Sequence, residues 1–209
     1  MRIIKVEKLA FSEVKVIHFA RFTDQRGYFT EHFRKSDFLN HSEIDFIKGV
    51  EFVQCNESFS KKGTVRGLHF QWNPYMGKMV RTISGHMIDL VLDIRKNSPN
   101  FGKIIAYDMP SNFEDDSNQW IWVPPGFAHG NLFLKDTLIE YLCTGEYNPN
   151  CEAGISPLAP DIDWSICDRK LRLGFEKVAK TTKLMSEKDR NGLSVSEWKR
   201  DKRSKNFIY

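Results

Sequence analysis

Several residues able to hold or move a proton sit in stretches that otherwise read as β-strand: Arg66, His69, Lys78, His129, Tyr141 and Tyr147. The clearest stretch is "TVRGLHFQW", residues 64–72, where a basic residue, a glycine and a histidine break an apolar run. A histidine there serves either as a general base or as a hydrogen-bonded packing residue, and a strand tyrosine either delivers a proton or anchors its hydroxyl. A strand lysine is also a common guard of a sheet edge. Several such residues that one half-barrel interior can gather point together to a reactive or ligand-binding cavity. Tyr141 and Tyr147 are six apart, so an unbroken strand puts both on one face with Cys143 between them. Arg66 and His69 are three apart, which is the wrong parity for a shared face. Both turn inward only if the ladder is irregular at Gly67, for instance by a bulge; otherwise one faces out. Two histidines also suggest a metal, but the chain has no His-x-His and no carboxylate spaced as a third ligand, so no metal is expected.

The elements that must position these residues are mostly strands. From Lys5 to about Tyr147 the hydrophobic period is two, in runs such as "KVIHFARF", "GYFTEHF", "FVQCNESF", "KIIAYDM", "QWIWV" and "TLIEYLC", separated by turn-forming residues. Many short strands at close spacing indicate an all-β sandwich or barrel and exclude a doubly wound α/β fold. "KMVRTISGHMIDLVLDIR" reads as a hairpin broken at Ser84-Gly85, with Ile88, Leu90, Leu92 and Ile94 on one core-facing side. "FRKSDFLNHSE" supplies one short helix, and "WVPPGFAHG" a tight corner. With 209 residues, 41% hydrophobic and 28% charged, the chain closes one sizeable core, so residues 1–209 are expected to form a single domain.

The net charge of +4 is concentrated in residues 177–209, which carry ten Lys and Arg against four acids. This basic, partly helical segment, with its Ser-x-x-Glu helix start at Ser194, is expected to be a solvated C-terminal helix. It lacks the motif and stacking aromatics of a nucleic-acid footprint, so no nucleic-acid partner is expected. No apolar run is long enough for a bilayer span, the start does not read as a signal peptide, and the four cysteines form no disulfide framework. A cytoplasmic protein is expected.

The segments "FTDQRGYFTEHF", "VQCNESFSKKGTVRGLHFQ", "GKMVRTISGHMIDLVLDIRKNSPNFGK", "VPPGFAHG", "EYLCTGEYNP" and "LMSEKD" follow one another in an order that resembles the dTDP-4-dehydrorhamnose 3,5-epimerases, the RmlC-type cupins. The resemblance runs from about residue 15 to residue 191. It implies a cupin jelly roll with short flanking helices, a homodimer, no metal or organic cofactor, and a nucleotide-linked 4-keto-6-deoxy sugar as substrate. By motif, His69 falls on the catalytic base, Asp189 on the carboxylate that orients it, Lys78 on the lysine near the ketone and Tyr141 on the acid. Tyr147 and His129 fall on further substrate-site positions. Gln54, Asn56 and Arg66 match nucleotide and pyrophosphate contacts, while Arg26, Phe29 and Glu31 match residues offered by the partner subunit.

A ketone at C4 acidifies the hydrogens on C3 and C5. Inversion therefore needs a base, a cation or donor to hold the enolate, and an acid on the opposite face. The resemblance implies inversion at both carbons of dTDP-4-keto-6-deoxyglucose. Inversion at C3 alone, or action on another nucleotide-linked 4-keto sugar such as a GDP-4-keto-heptose, would keep the same base and lysine. A 3,4-ketoisomerase or a non-catalytic sugar-nucleotide binder ranks below these. Two positions depart from the family pattern: Met76, in a "WNPYMGK" stretch one residue shorter than usual, stands where glutamine is common, and Cys55 where aspartate is common.

Overall fold

A computed structural model describes all residues, 1–209. Twelve strands run in chain order: β1 (Ile3–Lys8), β2 (Lys15–Ala20), β3 (Phe22–Asp24), β4 (Gly27–Phe29), β5 (Gln54–Ser60), β6 (Val65–Gln71), β7 (Lys78–Asp93), β8 (Ile104–Ser111), β9 (Ser117–Val123), β10 (Phe127–Phe133), β11 (Thr137–Cys143) and β12 (Glu152–Gly154). Four helices join them: α1 (Lys35–Asn40), α2 (Arg169–Ala179), α3 (Glu187–Arg190) and α4 (Val195–Arg200). All strand pairings are antiparallel. One layer has the order β1-β2-β9-β7-β11-β5 and the other β8-β7-β10-β6-β12. Strand β7 belongs to both, so the architecture is a jelly roll folded about that strand. The β3–β4 hairpin stands apart as a two-stranded arm.

The expected hairpin at Ser84-Gly85 is not there. Residues 78–93 form one sixteen-residue strand that bends at Gly85 and passes from one layer to the other. Gly85 has φ +99°, and a β-carbon there would meet the Asp136 carbonyl oxygen at 2.5 Å and Thr137 Oγ1 at 2.6 Å. The glycine is therefore a corner rather than a turn, a role that a strand glycine shares with hairpin glycines in sequence. The Pro124-Pro125-Gly126 corner does lie between β9 and β10 as expected.

Alternation divides the molecule into three apolar clusters. Between the layers, Val16, Val80, Ile121 and Ile139 of one sheet meet Met87, Val91, Ile105 and Phe133 of the other. The outer face of the first sheet, including Ile17, Phe19, Met79 and Trp122, is covered by Phe38 of α1 and by Ile44 and Ile47 of the turn after it. Ile88, Leu90, Leu92 and Ile94 do share a face and are buried, but they look outward, toward the C-terminal helices. The opposite face of the same segment is buried too, because Met87, Asp89, Val91 and Asp93 look between the layers.

The C-terminal segment is not a solvated helix. Met185, Val195, Trp198 and Phe207 join the same cluster as Leu68, Phe70 and Leu90. Trp198 is fully buried, stands edge-on to Phe70 with ring centroids 4.6 Å apart, and donates its indole N–H to the Ile94 carbonyl at 3.1 Å. The Ser-x-x-Glu signal marks a true helix start, since Ser194 and Glu197 form a capping box. The charges line the outer side of a short segment that turns Met185, Val195, Trp198 and Phe207 inward while Leu184, Ile208 and Tyr209 stay exposed, a pattern that a charge count does not reveal. No helix is long and apolar enough to cross a membrane. Trp198→Ala is expected to lower unfolding stability by about 3–5 kcal/mol, through the cavity left and the orphaned Ile94 carbonyl. Urea denaturation followed by tryptophan-independent circular dichroism checks this.

Candidate active site

The site occupies one end of the space between the layers, where the inward-facing residues change from apolar to polar. Its geometry starts at Gly67. The β6–β10 ladder pairs His69 with His129 and Arg66 with Asn131, so three steps on one strand match two on the other. This irregularity is the bulge that lets both residues turn inward, and it brings Arg66 and His69 into the same cavity. Gly67 has φ +106°, and a β-carbon there would lie 2.6 Å from the Gly130 Cα and 2.7 Å from the His129 carbonyl oxygen. Only glycine fits at that position.

Arg66, His69, Lys78, His129, Tyr141 and Asp189 line one cavity of about 180 Å³, together with Ser58, Asn131 and Ile139. An adjoining lobe of about 310 Å³ shares His69, Lys78 and Tyr141 and adds Gln54, Asn56, Met76, Cys143, Tyr147 and Glu152. His69 Nε2 and Asp189 Oδ1 are 2.6 Å apart, across 120 residues of sequence. Burial would raise the Asp189 carboxyl pKa, but hydrogen bonding and charge from His69, with Ser186 at the start of α3, outweigh it and hold the group below the usual carboxylate range. A second histidine pair lies deeper: His129 Nε2 is 2.7 Å from Asp89 Oδ2, which also accepts from Asn131 at 3.0 Å. Lys78 forms no ion pair with any side chain, and desolvation in the cavity lowers its ammonium pKa against the opposing charges of Asp89 and Glu152. Burial likewise raises the Tyr141 phenol, so that it stays protonated well beyond neutral pH. Although both histidines face the cavity, no group of three or more metal-binding side chains converges.

Tyr147 reaches the site differently from the way strand alternation suggested. Strand β11 ends at Cys143, and Tyr147 sits in the following loop, 55% exposed at the cavity rim. The loop is held by the Gln54 side-chain amide oxygen, which accepts the Tyr147 N–H at 2.9 Å, and by the Gln71 side chain, which donates to the Glu146 carbonyl and accepts the Asn148 N–H. Gln54 in turn donates to Asn56 at 3.0 Å. On β5 these two are half-buried on the cavity side, while Cys55 is exposed on the other face, near Glu140. Met76 forms part of the cavity wall.

Arg26, Phe29 and Glu31 are not brought into this chain's own cavity. Arg26 pairs with Asp24 at 2.6 Å at the tip of the β3–β4 arm, and Phe29 is 67% exposed beside it. The arm ends at Phe29, so Glu31 is outside the strand, held by the Met1 ammonium group and Arg34. Asp89, Asn131, Ser58 and Glu152 also line or support the site and went unremarked in the sequence. Asp89 had a visible signal, a carboxylate in the middle of "MIDLVLDI". The other three had none.

Comparison with known proteins bears on the whole of this arrangement. The sequence model described as dTDP-4-dehydrorhamnose 3,5-epimerase matches residues 8–197. The dTDP-4-dehydrorhamnose 3,5-epimerase of Sinorhizobium fredii is 37% identical over 194 residues, 91% of this chain and 89% of its own. The enzyme of the same name from Methanothermobacter thermautotrophicus is 39% identical over 179 residues, covering 84% and 86%. Among solved structures, the dTDP-6-deoxy-D-glucose-3,5-epimerase of Legionella pneumophila, in complex with dTDP-4-keto-L-rhamnose, superposes with a TM-score of 0.78 at 28% identity, over 98% of this chain and 97% of that one. With the sequence match spanning nearly every element that lines the cavity, the chain belongs to the dTDP-4-dehydrorhamnose 3,5-epimerase family.

Proposed function

We propose that the chain inverts C3 and C5 of dTDP-4-keto-6-deoxyglucose by proton transfer next to the 4-ketone. The observation that carries this reading is the His69–Asp189 pair at 2.6 Å in a cavity shared with Lys78 and Tyr141. With Nε2–H donating to Asp189, His69 Nδ1 is the nitrogen left with a lone pair, and no protein group occupies it. His69 takes the proton from carbon, and the electron pair of the C–H bond moves to the ketone oxygen as an enolate. Lys78, facing the cavity without an ion-pair partner, stabilises that oxygen. Tyr141 returns a proton to the same carbon from the opposite face. The imidazolium and the tyrosinate then re-equilibrate with solvent, and the cycle repeats at the second carbon. Asp189 fixes the imidazole tautomer and favours the imidazolium that forms, without itself becoming protonated.

Arg66 at the cavity edge suits a phosphate, and Gln54 and Asn56 offer amides to the nucleotide. Neither a metal nor an organic cofactor enters this chemistry. Four free cysteines support a reducing, cytoplasmic setting. The β3–β4 arm exposes Phe22 and Phe29, and Tyr28 has only the Arg21 guanidinium stacked over its ring, 4.2 Å from the centroid. It supports a homodimer in which Arg26, Phe29 and Glu31 complete the neighbour's site, with an aromatic for a base and an arginine for phosphate.

His69→Asn should fold normally yet lose deuterium wash-in from D₂O at both C3 and C5 by about a thousandfold. Exchange retained at either carbon, followed by proton NMR, overturns the single-base assignment. Tyr141→Phe should retain some exchange at C3 while losing net epimer, since the enolate forms but is not captured from the far face. Unchanged product yield would shift the acid role to water or Tyr147. Mixing His69→Ala chains with Arg26→Ala/Phe29→Ala chains should restore activity through mixed dimers that carry one intact site. Activity no higher than the sum of the two parents would rule out shared sites.

A further inference from the structure

Glu152 has no role in the chemistry above, yet two separate parts of the chain meet on one of its oxygens. It lies on β12, two residues before Gly154, which pairs with His69 across the ladder. Its Oε1 accepts the Tyr147 phenol at 2.9 Å and the Lys188 ammonium at 2.5 Å. Lys188 directly precedes Asp189 on α3, a helix of only four residues.

A single helical turn cannot hold its own orientation, because it makes too few internal hydrogen bonds. Helix α3 is therefore aimed by what its ends and side chains touch. Ser186 caps it by accepting the Asp189 N–H at 3.1 Å, and Ser156 donates to the Arg190 carbonyl at 2.9 Å. Neither bond fixes the rotation of the turn about its axis. Successive helical residues point about 100° apart, so two adjacent side chains held by different partners do fix it. Asp189 reaches His69 on β6 and Lys188 reaches Glu152 on β12, and these two strands are neighbours. Glu152 is only 17% exposed, so its half of the ion pair is shielded from solvent even though Lys188 is open.

We infer that the Glu152–Lys188 pair is a latch that orients α3, and through Asp189 the His69 imidazole, making Glu152 a positioning residue for the base. This inference rests on the epimerase reading above. Glu152 also holds the Tyr147 phenol as a donor, and that bond raises the phenol pKa. Its loss must therefore be separated from loss of the latch.

The test compares Glu152→Gln, which keeps the shape and can still accept from Tyr147, with Lys188→Met, which cuts only the latch. Each should slow deuterium wash-in at C3 by about tenfold or more, toward the roughly hundredfold that a 1 Å misplacement of a reacting group can cost. The affinity for dTDP, measured by titration calorimetry, should be unchanged. The decisive measurement is a cycle: in an Asp189→Asn background, Glu152→Gln should have no further effect, whereas in a Tyr147→Phe background it should keep its full effect. Exchanging the two charges, Glu152→Lys with Lys188→Glu, should recover most of the lost rate. A Glu152→Gln loss that is the same in the Asp189→Asn background, or that is matched by weaker dTDP binding, overturns the latch alone. An Asp189→Asn chain that exchanges as fast as the unmodified protein overturns the base reading, and the latch with it.

Discussion

The close approach of two backbones at Gly67 and Gly130 is the constraint on which the site depends. A β-sandwich interior is filled by the inward half of each strand's side chains, and strict alternation gives β6 only one inward residue out of Arg66 and His69. Pressing β6 against β10 until no β-carbon fits between them shifts the ladder by one residue. The shift places a guanidinium and an imidazole on the same side, facing His129 and Asn131 of the neighbouring strand. Two glycines thus convert a regular wall into one that carries four polar groups within two strands.

Burying those groups has a cost that the rest of the cavity offsets unevenly. His69 and His129 each have a carboxylate at hydrogen-bond distance, and Asp89 is further held by Asn131. Lys78 has no such partner, and Asp89 Oδ1 is buried without one. Unsatisfied groups in an interior are expensive and tend to persist where chemistry uses them. On the proposed mechanism, the negative charge that Lys78 lacks arrives with the enolate. Catalysis then supplies in the transition state an interaction absent in the resting protein, which is the condition for lowering a barrier rather than merely binding tightly.

Much of this was legible in the sequence because it rests on short-range rules. Period-two runs marked the strands, and the parity of Arg66 and His69 narrowed the choice to a bulge at Gly67 or one residue facing out, of which the fold takes the first. What escaped depends on partners distant in the chain. Gly85 looks the same whether a strand turns back or bends between sheets, since both need a positive φ. The run from Ile88 to Ile94 showed one buried face by its period, while burial of Asp89 on the other depended on a second sheet. The basic tail read as solvated because ten basic residues outweigh one tryptophan in composition, but Trp198, with Met185, Val195 and Phe207, decides where the segment docks. Asp189 came from motif resemblance alone; nothing local distinguishes it from the other acids of the tail. Glu152 had no signal, since its neighbours in space are 5 and 36 residues away.

The separation of His69 from Asp189 by 120 residues also has a meaning in time. Ribosomes deliver the chain from its amino end, at a pace of about 5–20 residues per second. Every strand of both layers has emerged before the segment carrying Asp189 does. At that point the imidazole of His69 has been made and the carboxylate that faces it in the folded chain has not. The His69–Asp189 contact can therefore form only once the segment that docks Trp198 against Phe70 and carries α3 has followed the strands out.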